Sequence, residues 1–192
     1  MTDVAPIDLL QRPKRADARR NYDKLLEVAA EAFAEHGTQA SLEDIARRAG
    51  VGIGTLYRNF PTRHALLEAV YIGEVAEMAR VAADLGDLEP WDALETWLRR
   101  YVRFAATKRA LAEQMLATLD REAEVFMACR AAVTDAGGGL LRRAQEAGTA
   151  RPDADIADVT KMIYGISAIP AGDPEQIERI LDIALAGLRR RD

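Results

Sequence analysis

Between Val51 and Phe60 the chain reads VGIGTLYRNF, and Thr55, Tyr57, Arg58 and Asn59 bring hydroxyl, phenol, guanidinium and amide groups into a single short segment. At 100° per residue, Leu56 and Phe60 define one side of a helix, Gly54, Thr55 and Arg58 fall roughly opposite, and Tyr57 lies at the edge. That polar face suits the major groove of DNA. Glycine permits close backbone approach, threonine contacts a base or the thymine methyl, asparagine pairs with adenine, and arginine and tyrosine reach phosphate or guanine. Ile53 shares phase with Leu56 and Phe60 and fits a buried position as well as an exposed one. The same face would equally serve as the solvated side of an ordinary bundle helix, so the residues alone leave both readings open.

The flanking sequence supplies the elements that must hold this helix. A first helix is expected from about Ala18 to His36, with Leu26, Ala29, Ala30 and Phe33 on one face and Gly37 as its stop. Ser41, with Asp44 three residues on, reads as the N-cap of a two-turn second helix carrying Leu42, Ile45, Ala46 and Ala49. Gly50 then turns the chain into the third helix, which makes the pair a helix-turn-helix. Thr62 caps a long fourth helix from Arg63 to about Leu85, and Pro90 opens a fifth with an apolar stripe through Leu94, Trp97, Leu98, Tyr101, Val102 and Ala105. Separate apolar patterns at Leu111–Leu119 and Val125–Leu140, and helices after Pro152 and Pro174, bring the expected number to about nine.

Composition agrees with an all-α protein. Ala, Leu, Glu and Arg dominate the 192 residues, and no long alternating Val/Ile/Thr run marks a sheet. The longest uncharged stretch, Met162 to Gly172, is too short and too broken to span a bilayer, and the N-terminus lacks an export signal, so a cytoplasmic protein without membrane attachment is expected. One cysteine, Cys129, and two histidines make a zinc site of the Cys/His kind a poor fit, and no metal or cofactor is expected. From Gln11 to Arg63 ten bases face seven acids, net +3, which leaves −8 on the rest of a chain whose total is −5. An acidic body with a mildly basic head makes a local polyanion contact plausible.

From Arg19 to Leu67 the chain resembles the DNA-binding domain of the TetR (tetracycline-repressor) family of bacterial transcription regulators. The resemblance rests on Phe33, Ser41, Ile45, Ala46, Ala49, Gly50, Val51, Gly54, Thr55, Leu56, Tyr57, Phe60, Arg63, Leu66 and Leu67, about a quarter of the chain with its spacers. It implies a three-helix head over residues 17–63, a helical effector-binding and dimerisation body over 64–192, and a disordered basic arm over 1–16. It places Ser41, Gly52, Ile53, Gly54, Thr55, Tyr57, Arg58, Asn59 and Arg63 in the DNA-binding set, with the Tyr57 hydroxyl and Arg63 on backbone phosphate. Lys14, Arg15, Arg19 and Arg20 offer further phosphate or minor-groove contacts.

The resemblance further implies a small-molecule effector held in an apolar pocket, for which Trp97, Tyr101, Phe104, Met115, Phe126, Met127, Met162 and Tyr164 are candidates, although side chains of this kind at helical spacing also serve simply as core. The last two helices are expected to pair with their copies in a homodimer through Ile163, Ile166, Ile177, Ile180, Leu181, Ala184 and Leu188, so that two third helices read a palindromic operator about one DNA turn apart. The triple glycine Gly137–Gly139 lacks the Lys-Ser/Thr of a phosphate loop and is expected to loosen or kink a helix so that its neighbours pack closely. Repression relieved by the effector is the expected function. A regulator without an effector is the alternative, and a small helical enzyme a weaker one, since Cys129, Ser41 and Ser167 make poor nucleophiles.

Overall fold

In a computed structural model the described residues are Leu10, 12–115, 121–169 and 174–190, with side chains described outside 106–126 and 174. Among them the chain forms eight α-helices and one 3-10 turn, Gly37–Gln39. In chain order these are α1 (Ala16–His36), α2 (Leu42–Arg48), α3 (Ile53–Asn59), α4 (Arg63–Asp84), α5 (Pro90–Met115), α6 (Arg121–Glu146), α7 (Ile156–Ser167) and α8 (Pro174–Leu188). The all-α expectation holds, and the helix number is close to the nine anticipated. The difference arises where α5 runs on to Met115: after Pro90 no glycine or proline interrupts it, so the apolar pattern beginning at Leu111 continues one helix instead of opening another. Of the expected arm, residues 1–9 and 11 lie outside the described residues. Leu10 is buried, and Arg12 pairs with Asp23 at 3.4 Å.

Most helix ends carry the chemistry that their sequence signals. Gly37 closes α1 with φ of 69°, and Gly50 turns α2 into α3 with φ of 71°, both in the left-handed region that side chains disfavour. The Asp44 amide donates to Ser41 Oγ at 3.2 Å, the Ala65 amide to Thr62 Oγ1 at 3.0 Å and the Ala157 amide to the Asp155 carboxylate at 2.7 Å. Each satisfies a donor that the first helical turn leaves without a backbone partner.

The chain divides into two compact units, one from Met1–Ala76 and Thr107–Cys129, the other from Glu77–Ala106 and Arg130–Asp192. In the first, α1 packs on α2 and α2 on α3, around Leu25, Ile45, Leu56, Phe60 and Leu66, and the Tyr22 and Phe60 rings meet at 4.9 Å. The second unit is organised around Trp97, which is 0% exposed and donates its Nε1–H to the Met78 carbonyl at 3.0 Å. Gly137 faces the same indole so closely that a Cβ there would lie 2.6 Å from Trp97 Cη2. α6 runs unbroken through the three glycines, so the break expected there is absent, and bare backbone at Gly137 is what admits the ring.

Charge ties the helices of this unit at its surface. Arg99 on α5 reaches Glu95 at 2.7 Å on its own helix, and Glu178 at 3.1 Å and Asp182 at 2.7 Å on α8. Arg143 on α6 donates to the carbonyls of Gly86 (2.9 Å) and Leu88 (3.1 Å), holding the turn after α4. Ala150 and Arg189 form an isolated antiparallel bridge, in which the Arg151 amide donates to Leu188 O at 3.0 Å and the Arg190 amide to Thr149 O at 2.9 Å.

Candidate nucleic-acid interface

α3 is held from beneath. Leu56 and Phe60 are buried against α1 and α2, and their spacing of four residues leaves the opposite side of a two-turn helix outward. Gly52, Ile53, Gly54, Tyr57 and Arg58 are exposed, and Thr55 and Asn59 half-buried. The ambiguity over Ile53 resolves outward: it is 38% exposed, and Tyr57, one turn on, is 45% exposed. The two share one edge of the outward face, and Arg58 and Thr55 lie beyond them around the helix.

Two glycines on this surface have no use in the protein's own packing. A Cβ built on Gly52 or Gly54 meets nothing within 4 Å, and neither residue has positive φ. Gly54 sits inside α3, where glycine costs about 1 kcal/mol relative to alanine. A bare backbone that neither a turn nor a neighbour requires points to something outside the chain that must come close.

The polar side chains of α3 are partly committed to one another. The Arg58 Nη2 donates to Thr55 Oγ1 at 2.9 Å, while the Asn59 side-chain amide donates to the Thr55 backbone carbonyl at 2.8 Å. Asn59 therefore closes the end of its own helix, leaving Arg58 as the guanidinium on the outward face.

Arg63 has a second role that no local signal reveals. From the first turn of α4 its Nη1 donates to the carbonyls of Thr38 (3.0 Å) and Ala40 (2.6 Å), clasping the link that delivers Ser41 to the start of α2. Across that link Arg48 on α2 pairs with Glu35 at 2.9 Å and Glu31 at 3.1 Å on α1, and the hydrogen bond it donates to the Glu35 carboxylate is the main cause holding the Arg48 guanidinium above its ordinary pKa. Arg47 pairs with Asp44, and Arg20 with Asp17. Ser41 acts as the cap already described.

The body residues separate into two groups. Trp97 and Tyr101 stack with centroids 5.4 Å apart and an interplanar angle of 2°, and Phe104 follows at 5.8 Å, all three buried. Burial above all, with Tyr164 nearby, pushes the Tyr101 phenol up to about 12, against a smaller opposing influence of Arg130. Tyr164 is 40% exposed, and Met127 is exposed on α6; the side chains of Met115 and Phe126 lie outside the described residues.

Met162, 41% exposed, lines instead a groove of about 340 Å³ between α7 and α8, with Val159, Ile183, Ala184, Gly187 and Leu188 on its apolar side and Arg151, Asp153, Asp155 and Asp158 on its rim. Of the residues expected to meet a second copy, Ile163, Ile166, Leu181 and Leu188 are buried within the chain itself, while Ile177, Ile180 and Ala184 are half-exposed. Ile183, 73% exposed, lies outside the expected stripe of α8; being out of phase with Leu181 and Leu188 is the signal that marks it.

No helix among the described residues is long and apolar enough to cross a membrane, and no group of three or more metal-ligating side chains occurs among them. Residues 25–70 match the family model for bacterial regulatory proteins of the tetR family, and residues 89–190 the model described as the transcriptional regulator SbtR-like C-terminal domain. The crystal structure of the TetR transcriptional regulator SCO0520 from Streptomyces coelicolor is similar at 38% identity and a TM-score of 0.78, over 89% of this chain and 99% of that one. A TetR transcription regulatory protein from Mycobacterium vanbaalenii is similar at 38% identity and a TM-score of 0.76, over 93% of this chain and all (100%) of that one. The HTH-type transcriptional regulator SAR0097 from Staphylococcus aureus is 39% identical over 71 residues, 35% of this chain, and the chain spans only 37% of that protein's length. These relatives are transcription regulators, and the enzymatic alternative is set aside. With both parts of the architecture matched and two solved regulators alike over nearly their whole length, the chain belongs to the TetR family of bacterial, DNA-binding helix-turn-helix transcriptional regulators.

Proposed function

We propose that this regulator is a repressor that binds a palindromic operator as a homodimer in the cytoplasm and leaves it when a small apolar effector occupies its body. The observation that carries the DNA-binding part is the outward face of α3, where Gly52 and Gly54 keep the backbone bare although nothing in the chain needs the space. Ile53, Thr55, Tyr57 and Arg58 surround that bare backbone. The proposed division of labour assigns residues 17–63 to DNA, 64–192 to effector and dimer, and 1–16 to a basic arm.

The dimer is proposed through α7 and α8, whose half-exposed Ile177, Ile180 and Ala184 and exposed Ile183 and Met162 form an apolar face above the buried Ile163, Ile166, Leu181 and Leu188. Two such subunits would present their third helices about 34–36 Å apart, one turn of duplex. The effector site is proposed in the body around Trp97, Tyr101 and Phe104, with Tyr164 as a further candidate. An effector acts only by binding the released form of the dimer better than the DNA-bound form.

Footprinting of the purified protein on fragmented genomic DNA is the test. Protected sites with two-fold symmetry, bound by a species of twice the chain's 21.1 kDa mass, are expected. A protein that protects no site, or binds tightly as a monomer, overturns the reading.

A further inference from the structure

The outward face of α3 carries several groups able to reach DNA, and their hydrogen bonds separate those that are free to read bases from those that are not. Asn59 is spent on the Thr55 carbonyl, and Gly52 and Gly54 have no side chain. Ile53 and Tyr57 are exposed but offer an apolar body and a single phenol. What remains is Arg58, with five N–H donors, of which one is engaged by Thr55 Oγ1 at 2.9 Å.

The position of that guanidinium follows from helix geometry. Residues four apart share a face, and a long side chain on a helix leans back over the turn that precedes it. Arg58 leans back onto Thr55, whose hydroxyl at 2.9 Å fixes the rotation of the fork, and the backbone at Gly54 beside it stays open. A planar fork with a free edge, held at the outermost line of the helix, matches the O6 and N7 acceptors of guanine in the major groove.

Resting on the reading of α3 as the DNA-binding face, we propose that Arg58, aimed by Thr55 beside the open backbone of Gly54, is the specificity-determining residue of this regulator and reads one guanine in each half of its operator. Thr55 is thereby a positioning residue for Arg58 in addition to any contact of its own. Ile53 and Tyr57, on the flank, supply apolar surface that a thymine methyl can meet.

Selection of bound duplexes from a random-sequence library by the full-length protein tests this directly. The enriched sites should carry a guanine at one symmetric position in each half-site. Arg58→Gln should lose that preference by about ten- to hundredfold while retaining the rest of the motif, and Thr55→Val should weaken it less. A second measurement keeps the protein unaltered: replacing that guanine by 7-deazaguanine, which removes the N7 acceptor, should lower wild-type affinity about tenfold and leave Arg58→Gln unaffected. If Arg58→Gln keeps the guanine preference and instead reduces the log–log salt slope by about one unit, Arg58 is a phosphate contact and the proposal is wrong. An enriched motif insensitive to 7-deazaguanine also overturns it while leaving the DNA-binding reading intact. Failure of the wild-type protein to enrich any sequence removes both.

Discussion

Gly137 lies directly against the Trp97 indole, and a methyl group at that position would stand 2.6 Å from Cη2 and 2.7 Å from Cζ3. Two positions on, a Cβ at Gly139 would meet nothing within 4 Å. The two glycines are chemically identical and sit in the same helix, yet alanine should act on them with opposite sign. Gly137→Ala forces the ring off its place and its Nε1–H off the Met78 carbonyl, and should destabilise by about 1–3 kcal/mol. Gly139→Ala only adds helix propensity and should stabilise by about 0.5–1 kcal/mol. Urea denaturation followed by tryptophan fluorescence measures both, and equal effects would contradict the packing described.

Gly54 presents the same physics with a functional cost. Gly54→Ala meets no neighbour, so it should raise the stability of the free protein by up to about 1 kcal/mol, or a few degrees in Tm. If the bare backbone serves close approach to a duplex, the same substitution should weaken operator binding by tenfold or more in a fluorescence anisotropy titration. A variant that is more stable and binds as well as the wild type would show that the gap is not used.

Arg63 is expected to matter before any DNA is present. Its Nη1 satisfies the Thr38 and Ala40 carbonyls, so Arg63→Ala should cost about 1 kcal/mol in the free protein and speed amide exchange around Ser41 to Ile45. A residue that served phosphate alone would leave exchange in the free protein unchanged. Arg63→Lys, which keeps the charge but loses the planar fork, should recover part of the salt-dependent DNA affinity and little of the exchange protection.

Tyr101 makes the protein sensitive to alkali. Its folded-state pKa of about 12 stands above the ordinary value of 10.0, so the folded form holds the phenolic proton more tightly than the unfolded chain does. That stabilisation is complete below about pH 10 and is lost as pH rises toward 12, on the order of 2–3 kcal/mol in all. Tyr101→Phe should flatten the fall in stability over that window, measured by urea midpoints at pH 9, 10 and 11; an unchanged slope would assign the alkaline limb to other groups.

What could be read from the chain beforehand was local. The caps Ser41 and Thr62, the glycine turn at Gly50, the proline start at Pro90 and the buried pair Leu56 and Phe60 each depend on residues within about four positions, and the structure places each as its neighbours dictate. What could not be read depends on partners far along the chain or on competition between partners. The reach of Arg63 to Thr38 spans 25 residues, and nothing beside Arg63 announces it. Asn59 carries groups able to pair with a base, but its side-chain amide is taken by the Thr55 carbonyl one turn back, at 2.8 Å. Ile183 stood outside the expected dimer set because the apolar stripe of α8 was drawn through its buried residues, whereas a surface that meets another body is drawn through the residues out of phase with them.

The small bridge between Ala150 and Arg189 has a consequence for how the chain resists degradation. Arg151, Arg189 and Arg190 carry exposed side chains of the kind trypsin selects, but a protease must draw several residues of extended backbone into its cleft, and here the amides of Arg151 and Arg190 are already held by Leu188 O and Thr149 O. Each strand of the bridge shields the other, so cutting at either one waits on the opening of both. The end of α8 and the turn after α6 should therefore survive digestion together and be lost together.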